Sequence, residues 1–137
     1  MLYAAKITKQ EGSWIVEFPD KPNINTYGES LKEALAMAEE ALNGAIESEL
    51  SQGFPLVEAR TEVKGTGMHA IAIDPQLEVS YRLFEARRGL TQGKVAKAAG
   101  ITQQAYQKLE SPRANPTVRT LSKVAKAIGK RVEIRFV

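Results

Sequence analysis

Between Thr91 and Arg113 the chain carries residues suited to contact with nucleic acid: Gln92, Gln103 and Gln104 among the amides, Lys94, Lys108 and Arg113 among the cations. A glutamine amide presents a donor and an acceptor side by side and can pair bidentately with adenine N6 and N7. Lysine and arginine neutralise phosphate, which positions a protein on a duplex without specifying sequence. Polar side chains also line any solvated helix turn, so the elements that hold them decide their use. Elsewhere, chemistry has few supports. Glu17, Asp20 and Asp74 are the only carboxylates around which a two-metal nuclease site could be built. Glu17 is on the opposite strand face from Val16 and Phe18, so the three read as solvated strand and turn residues. His69 is the single histidine and excludes a paired-histidine metal site, and Lys64-Gly65-Thr66-Gly67 lacks the spacing of a phosphate loop. No cofactor, metal or enzymatic activity is expected.

The glutamines fall in a stretch whose periodicity predicts three short helices over Leu90–Ile128. Thr91 can cap the first, which has Val95, Ala96 and Ala99 on its apolar side and Gly100 as its stop. Thr102 can cap the second, with Ala105, Tyr106 and Leu109 as its inward stripe. Two prolines and an asparagine make 111–116 a loop. The third helix is predicted from about Thr117 to Ile128, with Val118, Leu121, Val124, Ala125 and Ile128 on one face and Gly129 behind it. Two helices joined around a Gly-Ile corner make a helix-turn-helix unit.

Composition divides the chain. Residues 1–74 hold 6 Lys or Arg against 12 Asp or Glu, a net of −6, and residues 75–137 hold 13 against 4, a net of +9. An acidic module (1–74) is therefore followed by a basic one (75–137), and the basic charge is what attraction to phosphate requires. The absence of cysteine excludes disulfides, iron–sulfur clusters and thiol chemistry and allows a reducing compartment. No apolar run approaches a membrane span, and Met1 begins a strand-like segment rather than a signal peptide. A cytoplasmic protein with no membrane partner is expected.

In the acidic module, Leu2–Thr8 and Trp14–Phe18 read as a hairpin turned at Gln10–Ser13, with Gly12 taking positive φ. Trp14, Val16 and Phe18 share one face. A loop or short third strand lies around Ile24 and Asn25. Ser30 with Glu33 forms a capping box for a helix running to about Gln52, whose apolar stripe is Leu31, Leu35, Ala38, Leu42, Ile46 and Leu50. Residues 58–67 read as irregular, and Met68–Ile73 as a closing strand before Asp74-Pro75. This ββ(β)αβ module followed by an all-α module makes the fold class α+β.

Two resemblances attach to these residues. The run LTQ, KVAKAAGITQQAYQKLE and NPTVRTLSKVAKAIG resembles the helix-turn-helix domain of the phage repressor and Cro class over about forty residues. It implies five helices, the first being Glu78–Arg88, with Gln92–Ala99 as positioning helix and Gln103–Glu110 as recognition helix. Matching positions imply base contacts from Gln103, Gln104 and Lys108, and phosphate contacts from Gln92, Lys94 and Arg113. WIVEFPD, TYGESLKEALAMAEEALNGAI and GFPL resemble the N-terminal domain of the HicB antitoxin family. The order of the two modules resembles HicB proteins of the helix-turn-helix subclass. One departure is Lys21–Thr26, where the family usually carries a leucine and a glycine before the threonine, so a turn of different shape is expected there.

The HicB resemblance implies a degenerate RNase-H-like fold for residues 1–74, a HicA-type mRNA-cleaving toxin as partner, and repression of the toxin–antitoxin operon by binding operator double-stranded DNA. Inhibiting a basic RNA-binding protein calls for carboxylates and an exposed sheet surface. Trp14, Glu17, Phe18 and Asp20, with Glu33 and Glu40 from the helix, are the expected toxin-binding set, although Trp14 and Phe18 equally suit a core under the helix. Val132–Val137 alternates apolar and charged residues, so a short C-terminal strand is expected. Such a strand either docks on another domain or pairs with a second copy; a dimer through Val132, Ile134 and Phe136 is the preferred expectation. The alternatives are a ligand-sensing or oligomerising repressor without a toxin, a DNA-targeted nuclease, and a protein–protein adaptor.

Overall fold

The structure is a computed structural model describing residues Met1–Val137. The chain forms two compact units, Met1–Glu78 and Val79–Val137.

The first unit is a four-stranded antiparallel sheet under one helix. Its elements are β1 (Leu2–Gln10), β2 (Ser13–Glu17), β3 (Asn25–Gly28), α1 (Leu31–Ser51) and β4 (Met68–Ala72), with sheet order β3-β2-β1-β4. Gln10 pairs with Ser13, leaving Glu11 and Gly12 as a two-residue turn with φ of 50° and 84°. Positive φ at both positions gives a turn whose twist matches that of the strands. Ile7 lies opposite Val16 and Tyr3 opposite Ile71, which puts Tyr3, Ala5, Ile7, Val16 and Ile71 on one face. All five are buried, together with Ala34, Ala38, Leu42 and Ile46 of α1. The opposite face carries Leu2, Ile15, Glu17 and Tyr27, and there Leu2 and Tyr27 remain 57% and 60% exposed.

Ser30 caps α1, its hydroxyl accepting from Glu33 N at 3.1 Å. The buried stripe differs from the predicted one. Ala34 replaces Leu31, Leu35 and Leu50, which stay only half-buried. The cause is a close approach between β3 and α1: a Cβ on Gly28 would lie 2.4 Å from the Ala34 nitrogen. Contact that tight admits only small residues, so the leucines turn to the flanks.

The expected third strand is β3. Before it, Lys21 N donates to Phe18 O and Ile24 N to Lys21 O, both at 3.0 Å, and Ile24 is buried. The Lys21 ammonium is buried too and bonds Glu49 of α1 at 2.6 and 2.9 Å. Residues 54–67 form no regular element, yet the chain is fixed by Leu56, which is buried, and by Tyr3 donating to Val57 O.

The second unit begins inside α2 (Pro75–Ala86) and continues with α3 (Gln92–Ala99), α4 (Gln103–Leu109) and α5 (Val118–Ala127). Its core is Leu83, Val95, Ala96, Ala99, Tyr106 and Val124, flanked by Val79, Ile101, Leu109, Leu121, Ala127 and Ile128. Thr91, Thr102 and Thr117 cap α3, α4 and α5, each hydroxyl accepting a backbone N–H at 3.1 Å. Gly100 takes φ 70° between α3 and α4, and Ile101 N donates to Ala96 O at 3.0 Å. The left-handed residue turns the chain without opening the corner.

Three expectations are corrected here. Four helices form rather than five, and the first runs Pro75–Ala86 rather than Glu78–Arg88. Residues 132–136 alternate apolar and charged side chains, and 130–137 carry no helical period for a fifth. Ala105, expected inward, is exposed; only Tyr106 of α4 is buried. The C-terminal strand is absent too: Val132–Val137 forms no regular element, and Phe136 is 100% exposed. A strand needs a ladder partner for its N–H and C=O groups, and none lies beside this segment.

Candidate nucleic-acid and partner-binding surfaces

α4 exposes Gln103, Gln104, Gln107 and Lys108. Their spacing of i, i+1, i+4 and i+5 gathers them on one side of the helix, while Tyr106 anchors the other side in the core. Gln107 was not singled out from the sequence, although its position one turn after Gln103 was the available signal. The Gln103 amide lies back over α3, where a Cβ on Gly93 would come 3.2 Å from its Oε1. Lys94 and Arg113 are exposed as well, the first beside the Thr91 cap and the second in the loop after α4. Gln92 is placed differently from expectation. It is half-buried and its Nε2 donates to Glu110 Oε1 at 3.2 Å, so it belongs to the scaffold behind the surface rather than standing free for phosphate.

That scaffold centres on Glu110, at the end of α4. The Arg87 guanidinium grips its carboxylate in a bidentate pair, Nε to Oε2 at 2.5 Å and Nη2 to Oε1 at 2.9 Å. Ser80 of α2 donates to the Glu110 carbonyl at 2.5 Å. Burial works to raise the pKa of Glu110, but the bonds from Arg87 and Gln92 outweigh it and hold the carboxyl below its ordinary range. The same bond to Glu110 raises Arg87 further above its usual value. Burial pushes the phenol of Tyr106 up, and the Glu110 charge adds to the shift. The Tyr106 hydroxyl is buried without a well-formed hydrogen bond. Glu110 thus ties the end of α4 to α2, to Arg87 after it and to α3.

In the first unit the expected toxin-binding residues are not brought together. Glu17 is exposed on the open sheet face, whereas Trp14 is half-buried on the helix face with Lys9 Nζ 5.8 Å from its ring centre. Phe18 is core, at 1% exposure, and offers nothing to a partner. Asp20 serves the fold instead: it accepts from Arg60 N, Thr61 N and Thr61 Oγ1, each at 2.9 Å. The Thr61 backbone N–H is the main reason its carboxyl stays below the ordinary value. Glu33 and Glu40 are exposed and lie on one side of α1. Glu17, Asp20 and Asp74 do not converge, and no group of three or more His, Cys, Asp or Glu side chains is arranged to hold a metal ion. No helix is long and apolar enough to cross a membrane.

Residues 2–80 match the family described as "HicB_like antitoxin of bacterial toxin-antitoxin system", over more than half of the chain. The protein belongs to the HicB-like antitoxin family. Residues 81–134 of this HicB-like chain match the helix-turn-helix family. Antitoxin HicB 2 of Photorhabdus laumondii is 25% identical over 134 residues, covering 98% of this chain and 95% of its own. Antitoxin HicB 1 of the same organism is 29% identical, with 91% and 79% covered. An uncharacterized HTH-type transcriptional regulator of Archaeoglobus fulgidus is 34% identical over 56 residues, 41% of this chain and 80% of its own. The crystal structure of the Burkholderia pseudomallei antitoxin HicB shares the fold, with a TM-score of 0.51 at 17% identity over 78% of this chain and 90% of that one. The relatives are thus antitoxins and helix-turn-helix regulators, not enzymes. A HicB-like antitoxin with a helix-turn-helix DNA-binding domain is the description these matches support.

Proposed function

We propose that this HicB-like antitoxin holds a HicA-type mRNA-cleaving toxin inactive through its acidic unit and represses its own operon through its basic unit. The observation that carries the reading is the coincidence of charge with fold. Met1–Glu78 holds 6 basic against 13 acidic side chains, a net of −7, and Val79–Val137 holds 13 against 3, a net of +10. A negative unit suits a partner whose own ligand is RNA, and a positive one suits the duplex backbone.

In this reading Gln103, Gln104 and Lys108 contact base edges, Lys94 and Arg113 contact phosphate, and Gln92 steadies the corner through Glu110. The open sheet face, with Ile15, Glu17 and Tyr27, meets the toxin, since α1 closes the other face. Val132, Ile134 and Phe136 pair with a second copy, which supplies the missing ladder and doubles the DNA footprint for a palindromic site.

The test is co-expression with a HicA-type toxin. The Gln103→Ala/Gln104→Ala variant should still rescue growth while losing about 1–3 kcal/mol of operator preference per side chain. Lost rescue together with retained operator preference would reverse the assignment of roles.

A further inference from the structure

Helix α5 carries Arg119, Lys123 and Lys126 at i, i+4 and i+7, all exposed. At 100° per residue these three point away from Leu121, Val124 and Ile128, which pack into or against the core, and from Ala125, which is buried. The side of α5 turned away from the core is therefore a single basic stripe. Lys130 and Arg131 follow directly and are exposed too. No carboxylate occurs anywhere between Glu110 and Glu133, so α5 has no acidic neighbour at helical spacing. None of the three cations enters an ion pair.

Although Lys126 in the last turn suits the helix dipole, the rest of the arrangement acts against the stability of the helix. Like charges at i,i+4 and i,i+3 repel. Arg119 stands in the first turn, where the helix dipole disfavours a cation. A face needed only for solubility is served better by mixed signs, which would add pairs instead of repulsion. What this stripe fits is a line of negative charge. From Arg119 to Lys126 the helix rises about 10 Å, so the three cations are spread along a line, each able to meet a different phosphate of a strand.

We infer that Arg119, Lys123 and Lys126 form a second phosphate-binding surface that grips the backbone of duplex DNA without reading its sequence. The inference rests on the DNA-binding reading above and extends it to a helix outside the α3–α4 pair. Each phosphate neutralised steepens the fall of log K with log salt by about 0.9. Three contacts therefore add about 2.7 to the slope, and between 50 and 200 mM salt the intact protein loses about 40-fold more affinity than one without them.

The experiment compares the full-length protein with its Arg119→Gln/Lys123→Gln/Lys126→Gln variant. Each is titrated at several salt concentrations with a duplex from its own promoter and with a scrambled duplex of equal length. The expected result is weaker binding to both duplexes by the same factor, a slope shallower by about 2.7, and an unchanged ratio between them. The Lys123→Arg/Lys126→Arg variant keeps the charge and should keep the slope. A triple variant that melts no lower than the parent and retains the parent's slope overturns the inference, as does lost toxin rescue with unaltered DNA binding. If the intact protein fails to distinguish the two duplexes, the operator reading fails instead, while the slope still tests the stripe on either duplex.

Discussion

Replacing Glu110 with alanine removes the carboxylate shared by Arg87, just after α2, and Gln92 of α3, and leaves only the Ser80 bond to the main-chain carbonyl. The Arg87 and Glu110 side chains are 17% and 9% exposed. Breaking a buried pair by deleting one partner costs about 3–5 kcal/mol, because the surviving charge is left without compensation. Arg87 keeps a little access to water, so the lower end, about 3 kcal/mol, applies. The unit it stabilises spans 59 residues, Val79–Val137, and at 0.05–0.15 kcal/mol per residue it holds about 3–9 kcal/mol in total. The alanine variant should therefore leave the basic unit marginal, while Glu110→Gln, which keeps one acceptor and the shape, should cost about half as much. Urea unfolding can separate the units. The only tryptophan, Trp14, reports the first unit by fluorescence, while helical circular dichroism reports α1 of the first unit together with the helices of the second. The dichroism curve should gain an earlier phase while the fluorescence midpoint holds. A loss below about 1 kcal/mol in the basic unit would refute the role assigned to Glu110, since an exposed pair loses no more than that. Acid tests the same pair. A carboxyl whose folded-state pKa is depressed stabilises the fold at every pH above its unfolded value, here 4.5, and that stability is lost as pH falls through the lower folded value. The parent should show this loss below pH 4.5, with no change between pH 7 and 5, and Glu110→Gln should lack it.

Gly93→Ala adds a Cβ 3.2 Å from Gln103 Oε1; it should raise the melting temperature, since alanine gains up to about 1 kcal/mol over glycine in a helix, while weakening preference at one base pair, read by paired melting and binding measurements. Asp20→Ala removes three hydrogen bonds from the loop at Arg60 and Thr61, so limited trypsin digestion should cut after Arg60 many times faster than in the parent. Deleting residues 131–137 should give a monomer in sedimentation, and a dimer that persists would move the interface away from Val132, Ile134 and Phe136.

What could be read from the sequence is what neighbouring residues settle among themselves. Ser30, Thr91, Thr102 and Thr117 each bond a backbone N–H three residues ahead, so the caps, and with them the helix starts, are local. Gly12 and Gly100 likewise mark turns that need positive φ. The glutamine-bearing side of α4 followed from its cap and from Tyr106. What the sequence leaves open depends on packing between elements, mostly between residues distant in the chain. Alternation puts Trp14 and Phe18 on one face but gives no depth, and only Phe18 is buried. The α1 stripe is rotated because Gly28 of β3 packs against Ala34 of α1, a strand-to-helix contact that periodicity does not show. Asp20 has the position of a surface carboxylate, yet its partner Thr61 lies 41 positions away. Gln92 has the position of a phosphate contact, yet it bonds Glu110, 18 positions on. Val132–Val137 has the pattern of a strand, and a pattern supplies no partner.

The position of β1 in the sheet has a consequence for how the protein is made. One edge of β1 is filled by β2 immediately after the turn at Glu11-Gly12, while the other waits for β4, with Leu2 opposite Ala72 and Lys6 opposite Met68. On a ribosome adding about 5–20 residues per second, translation from the hairpin to Ala72 takes roughly 3–12 s. During that interval the nascent chain displays an unpaired strand edge, which is a template for pairing with any other strand nearby, including one from a neighbouring nascent copy. Pulse proteolysis of stalled chains should find the sheet cleavable when synthesis stops before Met68 and protected once Ala72 has cleared the exit tunnel. Anything that slows translation in that window, starvation included, prolongs the time in which the antitoxin is synthesised but not yet able to close its sheet.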